Sequence, residues 1–203
     1  MRLFVALELQ EHVRAALSDL IARLKLESPK ARWVRPEGMH ITLKFIGEAH
    51  PENLDAIRAA LATVHSSAPV EMNLRGVGFF PNGRRPRAAW CGVEASPNLA
   101  QLAADIARAL ELLGFPAESR QFVPHLTLAR FKSPDGLEKL VSAASNLESQ
   151  GFGSARESEF HLFQSFLKPS GSEYKRLATF PFVAAVEEKS LGKSAGGIAK
   201  ESA

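Results

Sequence analysis

The sequence predicts an α+β fold of antiparallel sheets, each covered by helices on one face. Three observations carry this. Short runs with apolar residues at every second position are interspersed with runs whose apolar residues recur at spacings of three and four. One strand-like tetrapeptide, His-x-Thr-Leu, occurs twice, at His40–Leu43 and His125–Leu128, 85 positions apart (125 minus 40). Each copy is followed by a helix and then by a strand pair, so the chain reads as two halves of similar order. Helices on one face of each sheet leave the other face free. Two free faces would then line a central groove in a bilobal, pseudo-two-fold molecule.

The elements follow in order. Arg2 to Leu9 alternates as a strand, and Gln10 to Leu26 sets Val13, Leu17, Leu20, Ile21 and Leu24 on one helical face. Arg32 to Val34 is a short strand. Pro36-Glu37-Gly38 breaks the chain before the first motif strand, Met39 to Ile46, which Gly47 ends. Pro51 to Val64 is a helix with proline in its first turn and Leu54, Ile57, Leu61 and Val64 on one side. Val70 to Phe79 and Arg87 to Glu94 form a hairpin around Pro81-Asn82-Gly83. Asn98 to Leu113 is a helix stopped by Gly114 and Pro116. The second motif strand is Phe122 to Phe131, followed by a helix from Pro134 to Leu147. Glu157 to Leu167 and Tyr174 to Phe182 close the fold around Pro169-Ser170-Gly171. Residues 1–186 make one bilobal domain on this reading. Glu187 to Ala203, rich in Lys, Ser, Gly and Ala, reads as a disordered tail.

Composition narrows the function classes. At 203 residues the chain can bury a sizeable core. A net charge of +3 gives no strong polyelectrolyte signal, though it is compatible with an anionic substrate. The single cysteine, Cys91, excludes an internal disulfide. No apolar run approaches the roughly 20 residues of a membrane span, and the N-terminus reads as a strand rather than a signal peptide. A cytoplasmic protein without a membrane partner is the expectation.

The two motifs carry the chemistry. In a strand, residues i and i+2 share a face. His40 and Thr42 therefore face one way and Ile41, Leu43 and Phe45 the other; His125 and Thr127 oppose Leu126 and Leu128. Histidine is the side chain whose ordinary pKa, about 6.5, lies nearest neutrality, so one imidazole can accept a proton while a second donates one. Such a pair suits in-line displacement at phosphorus, with the threonine hydroxyls donating to phosphoryl oxygens. Neither a cofactor nor a metal is required. The other four histidines, His12, His50, His65 and His161, lack the pattern and show no metal-ligand spacing. Lys44 shares the face of His40 by alternation and could face the groove. Trp90, in mid-strand, reads as core, and so does Phe4, although it could stack on a base. The basic loop Gly83 to Arg87 is either a solvated turn or a nucleic-acid contact.

These segments resemble the 2H phosphoesterase superfamily, and within it the RNA 2',3'-cyclic phosphodiesterases, also called 2'-5' RNA ligases. The resemblance covers roughly residues 1 to 183. It runs through RLFVALEL, WVRPEGMHITLKFIGE, GVGFFPNGRRPRAAWCGV, FVPHLTLARF and FHLFQSFLKPSGSEYKRL. It implies a bilobal fold and metal-independent opening of an RNA terminal 2',3'-cyclic phosphate to a 2'-phosphate, with weak 2'-5' ligation as the reverse reaction. It also implies His40 as proton donor, His125 as proton acceptor, and Thr42, Thr127 and Arg130 as phosphate-binding residues. Strict alternation sets Arg130 opposite His125, so that role requires the strand to twist or end there. The implied partner is RNA with a cyclic phosphate end, with no cofactor; nothing in the sequence suggests an obligate protein partner, so a monomer is the expectation. The alternatives are a cyclic phosphodiesterase acting on a small nucleotide such as ADP-ribose cyclic phosphate, and a non-catalytic protein that binds RNA ends.

Overall fold

Alternation and helical spacing put most elements where the sequence predicts them. The computed structural model describes residues 1–118, 120–168 and 171–182; the tail and the Pro169-Ser170 turn lie outside them. In chain order the elements are β1 (Arg2–Leu7), α1 (Glu11–Lys25), β2 (Arg32–Trp33), β3 (Ile41–Glu48), α2 (Leu54–Leu61), β4 (Val70–Phe80), β5 (Ala88–Ala95), α3 (Asn98–Glu111), β6 (His125–Arg130), α4 (Glu138–Ser145), β7 (Gly151–Glu157), β8 (Glu159–Lys168) and β9 (Gly171–Pro181). Single 3-10 turns at Pro36–Gly38 and Pro51–Asn53 precede β3 and α2.

Besides the shorter α2 and β6, three features depart from the sequence reading. β3 runs through Gly47 to Glu48 instead of ending at the glycine. α4 starts only at Glu138, after the turn formed by Ser133 to Gly136. β7 is a strand that periodicity does not reveal. Its sequence, GFGSARE, buries only Phe152 and Ala155, too sparse a pattern to mark a strand.

The strands form one curled antiparallel sheet in the order β7-β4-β5-β6-β3-β1-β8-β9, with β2 beside β6. It consists of two well-paired halves. β3 and β6, the motif strands, join them through one bridge pair, Ile41 opposite Leu126. The halves interleave. The hairpin β4–β5, which follows the first motif in the chain, pairs with the second motif strand β6. The hairpin β8–β9, which follows the second motif, pairs with β1 beside β3. The helices cross in the same sense: α1 packs on β7 and α4 on β4, while α3 packs on β3 and α2. Neither half of the sequence is therefore a lobe by itself.

The main core lies between the sheet and these helices. α1 buries Val13, Leu17, Leu20, Ile21 and Leu24, the five residues its spacing predicts. α3 buries Leu99, Leu102, Ala103, Ile106 and Leu110. A small second cluster of Phe4, Ala6 and Phe163 lies on the opposite face of the sheet, which leaves that face otherwise open.

Gly76 makes an irregularity in β4 between Arg75 and Val77. It has φ 71°, and a Cβ there would come within 2.5 Å of the Glu148 carbonyl oxygen. Gly76→Ala should destabilise the protein by about 2 kcal/mol or more, the sum of left-handed backbone strain and an overpacked contact. Urea unfolding measures this; a change under about 0.5 kcal/mol would contradict it.

Candidate active site

Both motif strands carry an irregularity at the same place. Along β3, Ile41 pairs with Leu7 and Thr42 with Ala6, but Lys44 pairs with Val5 and Phe45 with Phe4. Leu43 is the extra residue. Along β6, Leu126 pairs with Cys91 and Thr127 with Trp90, then Ala129 pairs with Ala89 and Arg130 with Ala88. Leu128 is the extra residue. Each bulge shifts the alternation by one. Leu43 and Lys44 both lie on the helix side, and so do Leu128 and Ala129; all four are buried. Phe45 and Arg130 return to the open face. Each strand therefore presents a triplet to the groove: His40, Thr42 and Phe45 from one, His125, Thr127 and Arg130 from the other.

This corrects several expectations from strict alternation. Arg130 lies on the face of His125, because of the bulge and not because the strand ends. Phe45 faces the groove, 48% exposed, with its ring centroid 6.2 Å from that of Phe4. Lys44 does not face the groove. It is 4% exposed, and its Nζ donates to the Pro116 carbonyl at 2.7 Å. That bond ties the loop leading to the second motif onto the first motif strand. Trp90 is not core either: it is cross-strand to Thr127 and lies over Gly78, where the absence of a Cβ makes room for its ring.

The Ile41–Leu126 bridge is antiparallel, so His40 comes beside Thr127 and Thr42 beside His125. His40 Nδ1 lies 2.8 Å from the Gly38 carbonyl, and His125 Nδ1 lies 2.8 Å from the Val123 carbonyl. A carbonyl oxygen only accepts, so Nδ1 carries the proton in both rings. Nε2 is then the nitrogen that gains or loses a proton. Among the described residues, the Thr42 and Thr127 hydroxyls and the Arg130 guanidinium have no hydrogen-bond or ion-pair partner in the protein. They are available to a ligand.

The two imidazoles differ in their surroundings. His40 packs against Phe4 at 4.7 Å and the edge of Tyr174 at 5.1 Å; His125 meets the edge of Phe80 at 4.8 Å. Burial lowers the pKa of His40 to about 4. The bond to the Gly38 carbonyl opposes that shift, the charges of Arg130 and His125 add to it, and Glu8 opposes it. Of the other chemically notable residues, Cys91 lies on the helix side with its thiol pushed up to about 12 by burial, so it offers no thiolate. His161 is 2% exposed, and its Nδ1 lies 3.0 Å from Thr179 Oγ1 on the neighbouring strand. The exposed His12 bonds to the Ser154 carbonyl at 2.8 Å.

The lowered pKa of His40 has a consequence for stability. The folded protein binds this proton less readily than the unfolded chain. The stabilisation is complete above about pH 6.5 and is lost as the pH falls toward 4, by at most about 3 kcal/mol. The unfolding free energy of wild type relative to His40→Asn should therefore decline by up to that amount between pH 7 and pH 4. A pH-independent difference would contradict the burial of this imidazole.

The chain has relatives on several levels. The description "LigT like Phosphoesterase" matches residues 7–90 and again residues 92–174, each segment holding one motif copy. A protein of Methanothermobacter thermautotrophicus named RNA 2',3'-cyclic phosphodiesterase is 35% identical over 180 residues, covering 88% of this chain and 97% of that relative. The solved structure of TT0787 of Thermus thermophilus superposes with a TM-score of 0.76 at 33% identity, over 91% of this chain and 99% of that one. The E. coli LigT structure with 3'-AMP shares the fold, with a TM-score of 0.70 at 24% identity over 89% and 97% of the two chains. With its duplicated motif strands, interleaved halves and these relatives, the chain belongs to the LigT-like phosphoesterase family.

Proposed function

We propose that this protein hydrolyses the 2',3'-cyclic phosphate at an RNA end to a 2'-phosphate, using His40 as general acid and His125 as general base. The observation that carries this is the paired presentation of two imidazoles, each with Nε2 as the exchangeable nitrogen, beside two hydroxyls and a guanidinium without protein partners. The relatives named RNA 2',3'-cyclic phosphodiesterase support the substrate. His125 Nε2 takes the proton of the attacking water, and His40 Nε2 delivers one to the departing 3'-oxygen. Thr42, Thr127 and Arg130 hold the non-bridging oxygens, where negative charge grows in the transition state. With an RNA 5'-hydroxyl as nucleophile in place of water, the same displacement of the 3'-oxygen forms a 2'-5' linkage. We read the protein as a monomer acting in the cytoplasm.

The low pKa of His40 constrains this mechanism. His40 is neutral at pH 7, held so by burial and by neighbouring positive charge. A phosphodiester seated against Thr127 and Arg130 reverses that electrostatic contribution: it offsets Arg130 and favours the imidazolium. His40 would then gain its proton as the anionic substrate binds. The same low pKa also favours a second reading, in which His40 is the base and His125 the acid.

Either alanine substitution, His40→Ala or His125→Ala, should cut kcat by about 10²- to 10⁴-fold on an RNA oligonucleotide ending in a 2',3'-cyclic phosphate. The assay is run in excess EDTA, and mass and linkage analysis should find a 2'-phosphate. A 3'-phosphate product, or activity that survives loss of both histidines, would overturn the proposal. Arg130→Ala should raise KM and lower kcat together, whereas Lys44→Met should leave kcat within about threefold, because Lys44 lies on the other face of β3.

A further inference from the structure

Six cations gather where the groove opens past His40. Arg130 ends β6, and Arg32 of β2 stands directly opposite it in register. On its other side Arg130 pairs with Ala88, where β5 emerges from the loop carrying Arg84, Arg85 and Arg87. Lys132 follows β6, and its carbonyl accepts from Arg87 Nη1 at 3.0 Å. Asn82 Oδ1 accepts from the backbone N–H groups of Arg84 and Arg85 at 3.0 and 3.2 Å, which fixes the loop. All six side chains are exposed, and among the described residues none forms an ion pair. Asp135, three residues from Lys132, accepts instead from the Ser133 hydroxyl.

Like charges directly opposite on neighbouring strands repel. Arg32 and Arg130 bear that repulsion with no acid between them, and two successive phosphates, the reacting one at Arg130 and its upstream neighbour at Arg32, would relieve it. At the far end of the same sheet face acids and bases are mixed, with Arg75 cross-strand to Gly92. There Glu71 and Glu94 are exposed, and Arg156 is paired with Glu71 at 3.9 Å. The rim therefore offers a polyanion a run of cations free of ion pairs among the described residues, which the mixed far end does not. Reaction geometry points the same way: if the departing 3'-oxygen meets His40, its ribose and the chain attached to it extend from that side.

We propose that this rim binds the RNA strand behind the reactive end, with upstream phosphodiesters lying over Arg32, Arg84 and Arg85. The proposal rests on the activity read above and adds a preference for a polynucleotide end over a mononucleotide.

The test compares an RNA oligonucleotide ending in a 2',3'-cyclic phosphate with a nucleoside 2',3'-cyclic phosphate. The variant is Arg32→Gln/Arg84→Gln/Arg85→Gln, with its melting temperature checked against wild type and single Arg85→Gln as the milder form. The KM for the oligonucleotide should rise about 10-fold or more, and the slope of log KM against log salt should fall by about 2, from three lost phosphate contacts. Turnover of the mononucleotide should stay unchanged. Equal losses on both substrates, or no loss on the oligonucleotide, would overturn the rim. Wild type inactive on both would instead overturn the activity on which it rests.

Discussion

The groove depends on one extra residue in each motif strand. Leu43 and Leu128 are apolar and stay in the core, but each interrupts the pairing with the neighbouring strand. Without the interruption, the side chain five positions after each histidine would point into the helices. Arg130 would then be a buried, unpaired guanidinium, which is strongly unfavourable. With it, a tripeptide His-x-Thr becomes a three-residue presentation in which a cation joins one copy and an aromatic ring the other. The fourth residue of the motif thus decides which side chain joins the first and third on the groove face.

The pseudo-symmetry that duplicates the geometry does not duplicate the chemistry. Both rings are anchored through Nδ1 to a carbonyl two residues upstream, so both offer the same nitrogen to the groove. Their packing then differs. His40 is enclosed by Phe4 and Tyr174, and Arg130 stands at its end of the strand pair. His125 has Phe80 at its edge, and Phe45 lies toward its end. Matching motifs thereby sit in unequal surroundings, and burial lowers the proton affinity of His40.

Most of the strands and helices were legible in the sequence, because each buries one periodic face. Thr42 and Thr127 could be set beside their histidines from alternation alone. Alternation failed where the period itself is broken: Lys44, Phe45 and Arg130 all lie past a bulge, and neither leucine differs in type from an ordinary buried strand residue. The family resemblance named Arg130 where periodicity argued against it, and the bulge removes the conflict. β7 escaped because two buried side chains in seven residues do not make a pattern. The interleaving of the halves was not legible either. Chain order suggested two halves of similar order, whereas pairing partners are chosen by long-range packing that no local period records.

The division of labour between the histidines is most directly tested by changing the leaving group. A nucleotide p-nitrophenyl phosphodiester expels a phenolate that needs no protonation, so loss of the acid should matter little while loss of the base still matters. If His40 is the donor, His40→Ala keeps most of the wild-type rate on this substrate, despite a loss of about 10²-fold or more on the cyclic phosphate. His125→Ala stays impaired on both. Rescue of His125→Ala in place of His40→Ala would exchange the roles, and rescue of neither would contradict leaving-group protonation by this pair.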